Sequence, residues 1–553
     1  MASGRKFFAP RVEGSSGPRL YGLLAVGGIA LLLLYGFHTT REHNHGAIAL
    51  ETIPAIQDDG NVPPDTVHEP PDLQASQLEA DRPIDAAVWW FAPFLDHSSF
   101  GAEASGYVLS LLRQGLVAGG RLHIGLLQVC ATGQAAAQND CGDQLSGLME
   151  EQDHSQLLAL HGSPSEAAIV VCHNLPPYLG RPSPRWASCE PCPPPTAGGL
   201  VRYAVARVMA ETSRIPTDFV RSINSLDEVW VPTEASEEVL RRSGVTRPTV
   251  VVPLGVDTQE LDRRRVLPLP LPPQSAVQVF GPPGRHSPDR QRPFAFVSIF
   301  KWELRKGYDV LLKAFLQEFG PAQGQQDPQR QQQRQQSDPG RGAAAAGGSA
   351  AAAAPCDGSD VELYILTKPF LSDETGAGLQ ARMRQWAGDA LGPQFDPDRG
   401  PRVFVVSGHV PRRDYVAMLA AADAFVLPTR GEGWGLPILE AMSLGLPVIA
   451  TNWSGPTAYM DEQVGYPLSY SLEAVPPTEP YWFQGSQWAE PSVPHLRDLM
   501  RAVASCAGRA DARARGRAAR RRAVERYAHP VVARRVAAEL RRIASATRPG
   551  GGA

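Results

Sequence analysis

The sequence predicts an α/β fold, and three observations carry that reading. Short apolar runs rich in β-branched residues alternate with segments of helical character, the alternation recurs in two successive stretches, and 553 residues suffice for two such domains. In residues 84–260 the strand runs are AAVWWFAPF, LHIGLLQV, AAIVVCH, EVWVPT and TVVVPLG, while SGYVLSLLRQ, VRYAVARVMAE and EASEEVLRRSG read as helices. In residues 293–505 the strand runs are FAFVSIF, VELYILT, RVFVVSG, DAFVLPT and LPVIAT. Continuous apolar runs of this length suit parallel strands covered on both faces. The chain therefore reads as two Rossmann-like domains facing a central ligand cleft.

Ahead of the first domain, Leu20 to Phe37 carries no charge over eighteen residues, just enough to span a bilayer core as a transmembrane helix. Arg5, Lys6, Arg11 and Arg19 precede it, so the positive-inside rule keeps residues 1–19 cytosolic and puts the large domains across the membrane. A cleaved signal peptide is the competing reading. Its cleavage triplet, Ala47-Ile48-Ala49, lies far beyond the apolar run, and the run is long for a signal. Residues 38–83, with few large apolar groups, read as a disordered stem.

Pro-rich residues 261–292 read as an inter-domain linker, and residues 321–357, rich in Gln and then Ala, as a low-complexity insertion in the second domain. Both are expected to be disordered. Residues 506–545 form a strongly basic helix in a chain of net charge −4, which raises nucleic acid or a membrane surface as partners. A luminal location argues against nucleic acid, and a solvated outer face of a packed helix explains the same residues. Seven cysteines are compatible with an oxidising compartment. Cys130 with Cys141, or Cys189 with Cys192, are plausible local pairs, and an odd count leaves one cysteine unpaired within the monomer. The C-E-P-C spacing at Cys189–Cys192 lacks a second pair with ligand spacing, so zinc is not expected.

The richest stretch for chemistry runs from Arg430 to Thr457. The strand DAFVLPT is broken by Arg430, Gly431, Gly433 and Gly435, where the backbone can turn closely around a ligand. Pro437 suits the first turn of a helix, which places Leu436 at its start, Glu440 one turn in and Glu432 in the loop before it. Two carboxylates then face opposite ends of one ligand, and the helix N-terminus offers free N–H donors to phosphate. After LPVIATN, Ser454, Gly455 and Pro456 suggest a second helix N-terminus beside the first. Upstream, FAFVSIF leads through Lys301, Arg305, Lys306 and Gly307 into an amphipathic helix, delivering positive charge at a turn.

Glu432 and Glu440, with the surrounding G-x-G-W-G-x-P-x-x-E-A, resemble the E-x7-E signature of retaining glycosyltransferases of the two-domain GT-B fold, the family-four, group-one type. The resemblance implies that Glu432 contacts the transferred sugar at the reaction centre and that Glu440 holds the ribose hydroxyls. It implies that Lys306 is one of two cations on the diphosphate, with Lys301 at the arginine position if the loop is one residue shorter. In the first domain, Ser98, Ser99 and Gly101 stand where the family has a glycine-containing loop near donor and acceptor, and His173, at the end of a strand, could touch the sugar hydroxyls. Glu211 and Arg214, in the segment leading to the V-P-T strand end, could touch acceptor or pair with each other.

The family is generally metal-independent, so neither metal nor cofactor is expected. The implied partners are a UDP- or GDP-sugar donor, a glycan, lipid or protein-linked acceptor, and the membrane through the amino-terminal helix. The implied setting is the Golgi or endoplasmic reticulum membrane, type II, with the catalytic domains luminal. The sequon Asn452-Trp453-Ser454 falls inside the expected donor site and is expected to be unmodified. The alternatives are a catalytically silent scaffold and a sugar-nucleotide epimerase on the same fold.

Overall fold

The computed structural model describes residues 81–94, 99–118, 120–126, 151–180, 191–283, 292–320, 360–369, 377–408 and 410–548. The expected anchor at 20–37, the stem up to residue 80, the insertion at 321–357, and Ser98, Cys130, Cys141 and Cys189 lie outside them. Among the described residues no helix is long and apolar enough to cross a membrane.

In the first lobe β1 (Ala87–Ala92), β2 (Leu122–Leu126), β3 (Ala168–His173), β4 (Val201–Arg207), β5 (Glu228–Val231) and β6 (Thr249–Val251) pair in the order β2-β1-β3-β4-β5-β6, every pair parallel. Between them run α1 (Ser99–Arg113), α2 (Glu151–Ala159), α3 (Thr217–Ile223) and α4 (Glu234–Ser243). β1 and β3 are buried along their whole length, which is why they read as apolar runs. VRYAVARVMAE, expected as a helix, is instead strand β4. Val205 enters the core on one face of the sheet and Ala204 and Ala206 the core on the other, so pairing between β3 and β5 overrides helix-forming composition. The V-P-T after β5 has a plain cause: the Thr233 hydroxyl accepts from the Ser236 N–H and caps α4.

The second lobe contains β7 (Val277–Phe280), β8 (Phe294–Trp302), β9 (Val361–Pro369), β10 (Arg402–Ser407), β11 (Ala424–Leu427), β12 (Val448–Thr451) and β13 (Tyr466–Leu468). Their order is β13-β12-β11-β8-β9-β10-β7, parallel except for β7 against β10. Its helices are α5 (Tyr308–Phe319), α6 (Ala377–Leu391), α7 (Arg412–Ala421) and α8 (Leu436–Ser443), followed by a hairpin of β14 (Tyr470–Ala474) and β15 (Gln487–Pro491). The expected linker at 261–292 is corrected here: it carries β7, and the Leu269 N–H donates to Ala417 O at 3.1 Å. A sheet edge tolerates the flanking prolines that made this segment read as disordered.

The chain closes with α9 (Val493–Ala504), α10 (Arg509–Tyr527) and α11 (His529–Ala546). Helix α10 packs into the second core through Ala512, Ala519, Ala523 and Tyr527, whereas α11 enters the first core through Val532, Val536, Leu540 and Ile543. Each such large apolar group contributes about 1.5–3 kcal/mol when fully buried. The basic carboxyl end is therefore held to both lobes by its apolar stripe, and several of its arginines pair with acids around it: Arg520 meets Asp262, Arg534 meets Asp81 and Arg542 meets Glu228.

Cys192 is disulfide-bonded to Cys172 at the end of β3, not to Cys189. The backbone decides this: Cys192 donates to Tyr178 O at 2.8 Å and accepts from the Gly180 N–H at 2.7 Å, which fixes it beneath that strand end. Cys506 is also disulfide-bonded.

Candidate active site

Both sheets reverse their strand order once, between β1 and β3 in the first lobe and between β8 and β11 in the second. Open parallel sheets bind ligands at the carboxyl ends of strands at such a reversal. In the second lobe that position is occupied by the turn after β8 and the loop after β11.

Helix α8 starts at Leu436 with Pro437 in its first turn, preceded by Gly435 at φ +93°, a conformation that costs glycine little. Glu440 lies on this helix and Glu432 in the loop before it. Lys306 Nζ donates to both oxygens of Glu432, at 2.7 and 2.8 Å. Thr429 Oγ1 donates to the same carboxylate at 2.9 Å, and the Glu432 N–H donates to Ser454 Oγ at 3.0 Å. Burial pushes the Glu432 carboxyl up, but Lys306 and Arg305 outweigh it and hold the group below its ordinary value. It is an anchored carboxylate beside a fixed ammonium.

Glu440 is buried, and its oxygens accept from Arg412 Nη1 at 2.6 Å and from the Tyr415 hydroxyl. Arg412 also holds Glu260 at 2.8 to 3.1 Å. Sequence reading missed this pair; the signal was a charged and an aromatic residue in the first turn of α7, directly after β10.

Arg305 is nearly buried and bridges loops. It donates to Gly431 O and, at 2.6 Å, to Glu303 Oε1, and it meets Glu211 at 3.0 Å. Lys301 sits on β8 in register with Lys368 of β9. Arg430 is locked by Asp309 at 2.8 Å and Glu490 at 2.6 Å, which ties the glycine loop to α5 and β15.

The expectation that Gly431 and Gly433 leave room for a ligand requires correction. A Cβ on Gly431 would lie 1.9 Å from the carbonyl oxygen of Glu211, and one on Gly433 would lie 2.2 Å from the sulfur of Met209. These glycines admit the first-lobe segment that follows β4. The expected Glu211–Arg214 pair is likewise replaced by Glu211–Arg305. Burial raises the Glu211 carboxyl above its ordinary value, with Arg305 and Lys306 opposing. The second expected helix N-terminus is a single short turn, Gly455–Ala458, preceded by Ser454 at φ +60°.

In the first lobe, Gly101 lies inside the first turn of α1 and not in a loop, because α1 already begins at Ser99. His173 is fully buried, where a sugar contact was expected. Trp90 Nε1 donates to its Nδ1 at 3.3 Å, and its Nε2 lies 3.2 Å from Glu103, which Arg207 also holds, Nε to Oε1 at 2.7 Å. Burial lowers the His173 pKa against the pull of Glu103. A neutral imidazole with both nitrogens facing partners is a core residue, and that is its place here.

The geometry describes a two-lobed α/β protein whose second lobe carries an anchored glutamate, an ammonium and a helix N-terminus at the strand-order reversal. Residues 385–473 match the family model of glycosyl transferases group 1. That span holds α7, Glu432, α8 and β12. The O-antigen chain mannosyltransferase B of Escherichia coli is 45% identical over 71 residues, 12% of this chain and 18% of that protein's length. Among solved structures, HepE from Anabaena in complex with UDP and glucose is similar over 82% of this chain and 99% of that one, at 12% identity and a TM-score of 0.47. A mutant of TarM from S. aureus, solved in complex with Fondaparinux, alpha-GlcNAc-glycerol and UDP, is similar over 68% of this chain and 55% of its own, at 12% identity and a TM-score of 0.40.

Proposed function

We propose that this protein is a glycosyltransferase that moves a sugar from a nucleoside diphosphate-sugar to a hydroxyl of a glycan, lipid or protein-linked acceptor. The observation that carries the reading is Glu432, held by Lys306 in the loop that leads into α8, within the span that matches the family model. The bond from the anomeric carbon to the diphosphate breaks, a bond to the acceptor oxygen forms, and the hydroxyl proton leaves with the diphosphate. Lys306 and the α8 N-terminus would offset charge on that leaving group, while Glu432 would orient the sugar and stabilise positive charge at its ring. Lys301 would add charge from β8, and Glu440 would receive the ribose by exchanging its Arg412 or Tyr415 partner.

Retention of configuration, independence of metal, an amino-terminal membrane anchor and a luminal site in the secretory pathway belong to the same proposal, supported by the sequence signature and by the apolar run at 20–37. The test is thermal stabilisation of the full chain by UDP, GDP, ADP and their sugar conjugates. One nucleotide class should raise Tm, a ligand at a hundred times its Kd adding about 2.7 kcal/mol. Glu440→Ala should abolish the shift and Glu432→Gln should keep it. A folded protein that responds to none of them would replace this reading with a silent scaffold.

A further inference from the structure

The parallel order of the second sheet lays its carboxyl-end loops in one line. Arg412 and Tyr415, which hold Glu440, follow β10; Arg305 and Lys306 follow β8; Glu432 follows β11; Trp453 and Ser454 follow β12; and Tyr470 follows β13. If ribose and diphosphate occupy the positions proposed for them, the transferred sugar lies at Glu432, and the next space along the line lies past β12. A cavity of about 210 Å³ is found there.

Its walls come from both lobes. Trp453 and Tyr470, with ring centroids 6.4 Å apart, line one side, with Asn452 and Thr457 beside them. The first lobe supplies Thr212 and, from the first turn of α4, Ser236. Aromatic faces joined to hydroxyl and amide groups match a pyranose, which presents C–H groups on its faces and hydroxyls around its edge. The volume falls below the 300–1,000 Å³ usual for drug-sized ligands, so it suits a single ring.

Two further observations tie this cavity to the reaction centre. Ser454, which lines it, accepts from the backbone N–H of Glu432 and holds a left-handed φ of +60°, a conformation that non-glycine residues keep where surrounding structure imposes it. Trp453 also reaches the Gly431 loop, its ring 3.0 Å from where a Cβ on that glycine would stand.

We infer that the cavity between Trp453, Tyr470 and α4 is the acceptor subsite, taking the single sugar ring whose hydroxyl attacks the anomeric carbon at Glu432. The inference rests on the transferase reading for the line of subsites, and its test does not. Saturation-transfer NMR on the full chain, with methyl glycosides of the common hexoses and N-acetylhexosamines as probes, reads ring occupancy without any donor. At least one glycoside should bind, and Trp453→Ala and Ala235→Trp, which remove one wall and fill the space respectively, should each weaken it at least tenfold. A cooperative thermal unfolding transition without ligand should persist in both variants and report that they fold, and the nucleotide-induced rise in Tm should persist with it. Binding unchanged in both, or no glycoside binding to the wild type, overturns the subsite. Glycoside binding lost in the variants of a protein that no nucleotide stabilises would leave a carbohydrate site standing and defeat the transferase reading alone.

Discussion

The two strand-order reversals of this molecule are built alike and filled differently. In the first lobe, Glu103, His173, Arg207 and Tyr107 close into a network in which the side chains of Glu103, His173 and Arg207 are at 0% exposure, and Tyr107 donates on to Pro253 O at 2.8 Å. In the second lobe, Glu432, Lys306, Arg305 and Glu211 form a comparable set of charges, but Lys306 is partly exposed and Glu211 comes from the opposite lobe. The first network uses its charges to satisfy one another inside a core. The second leaves one of its cations, Lys306, partly open to solvent. The same topological position yields a core in one lobe and a candidate site in the other, because side-chain supply differs and not the sheet.

The comparison breaks most sharply at Glu103. Replacing it with Ala leaves Arg207 buried without its carboxylate, which should cost about 3–5 kcal/mol and appear as a lower denaturant midpoint, with nucleotide binding unchanged in the fraction that folds. Glu432→Gln should do the reverse. Nucleotide affinity should hold while kcat falls about 10²–10³-fold, the loss seen when one preorganised charge-stabilising group is removed, and stability should fall less than in Glu103→Ala because the amide oxygen still accepts from Lys306. Equal kcat in Glu432→Gln and wild type would remove the distinction between the two reversals.

Acid titration sharpens the same contrast. Burial opposes ionisation of Glu103, yet Arg207 and His173 bring its carboxyl from 4.5 down to about 2. A depressed carboxylate contributes stability fully present above pH 4.5 and lost as the pH falls toward 2, here about 3 kcal/mol at 1.36 kcal/mol per unit. Urea midpoints across that window should fall in the wild type and fall less in Glu103→Ala. Glu211 has the opposite sign: its carboxyl is raised, so its contribution declines as the pH rises above 4.5.

The sequence made the alternation of strands and helices legible, along with the strand-to-helix turn that separates Glu432 from Glu440, because apolar periodicity and Gly-Pro punctuation are local. It misassigned β4, whose composition favours helix and whose state is set by neighbours on both sides. Prolines hid β7, since tolerance of proline at a sheet edge depends on where the strand lies. The site residues found were those within two local motifs, the turn after β8 with Arg305 and Lys306 and the loop into α8 with Glu432 and Glu440. Those missed, Arg412 and Tyr415 beside Glu440, and Asp309 and Glu490 on Arg430, come from separate elements that meet only on folding; Glu303, two positions before Arg305, lay within the motif and was passed over. Glu211 shows the difficulty best: the segment was recognised, but a partner 94 positions away on another lobe, Arg305, leaves no spacing to read.

The smallest effect separates two glycines that look equivalent in the motif. A Cβ on Gly431 meets backbone, the Glu211 carbonyl at 1.9 Å, whereas a Cβ on Gly433 meets the flexible side chain of Met209. Backbone must move as a unit and a thioether can turn aside. Gly431→Ala should therefore lose about 1–3 kcal/mol as overpacking does, and Gly433→Ala less than that, both read as changes in Tm. If the contact between lobes is what these glycines serve, Gly431→Ala should also weaken the Glu211–Arg305 pair, so that adding Glu211→Gln to it costs less than Glu211→Gln alone. Strict additivity in that double-mutant cycle would place the demand for glycine within the loop itself and detach the first lobe from the candidate site.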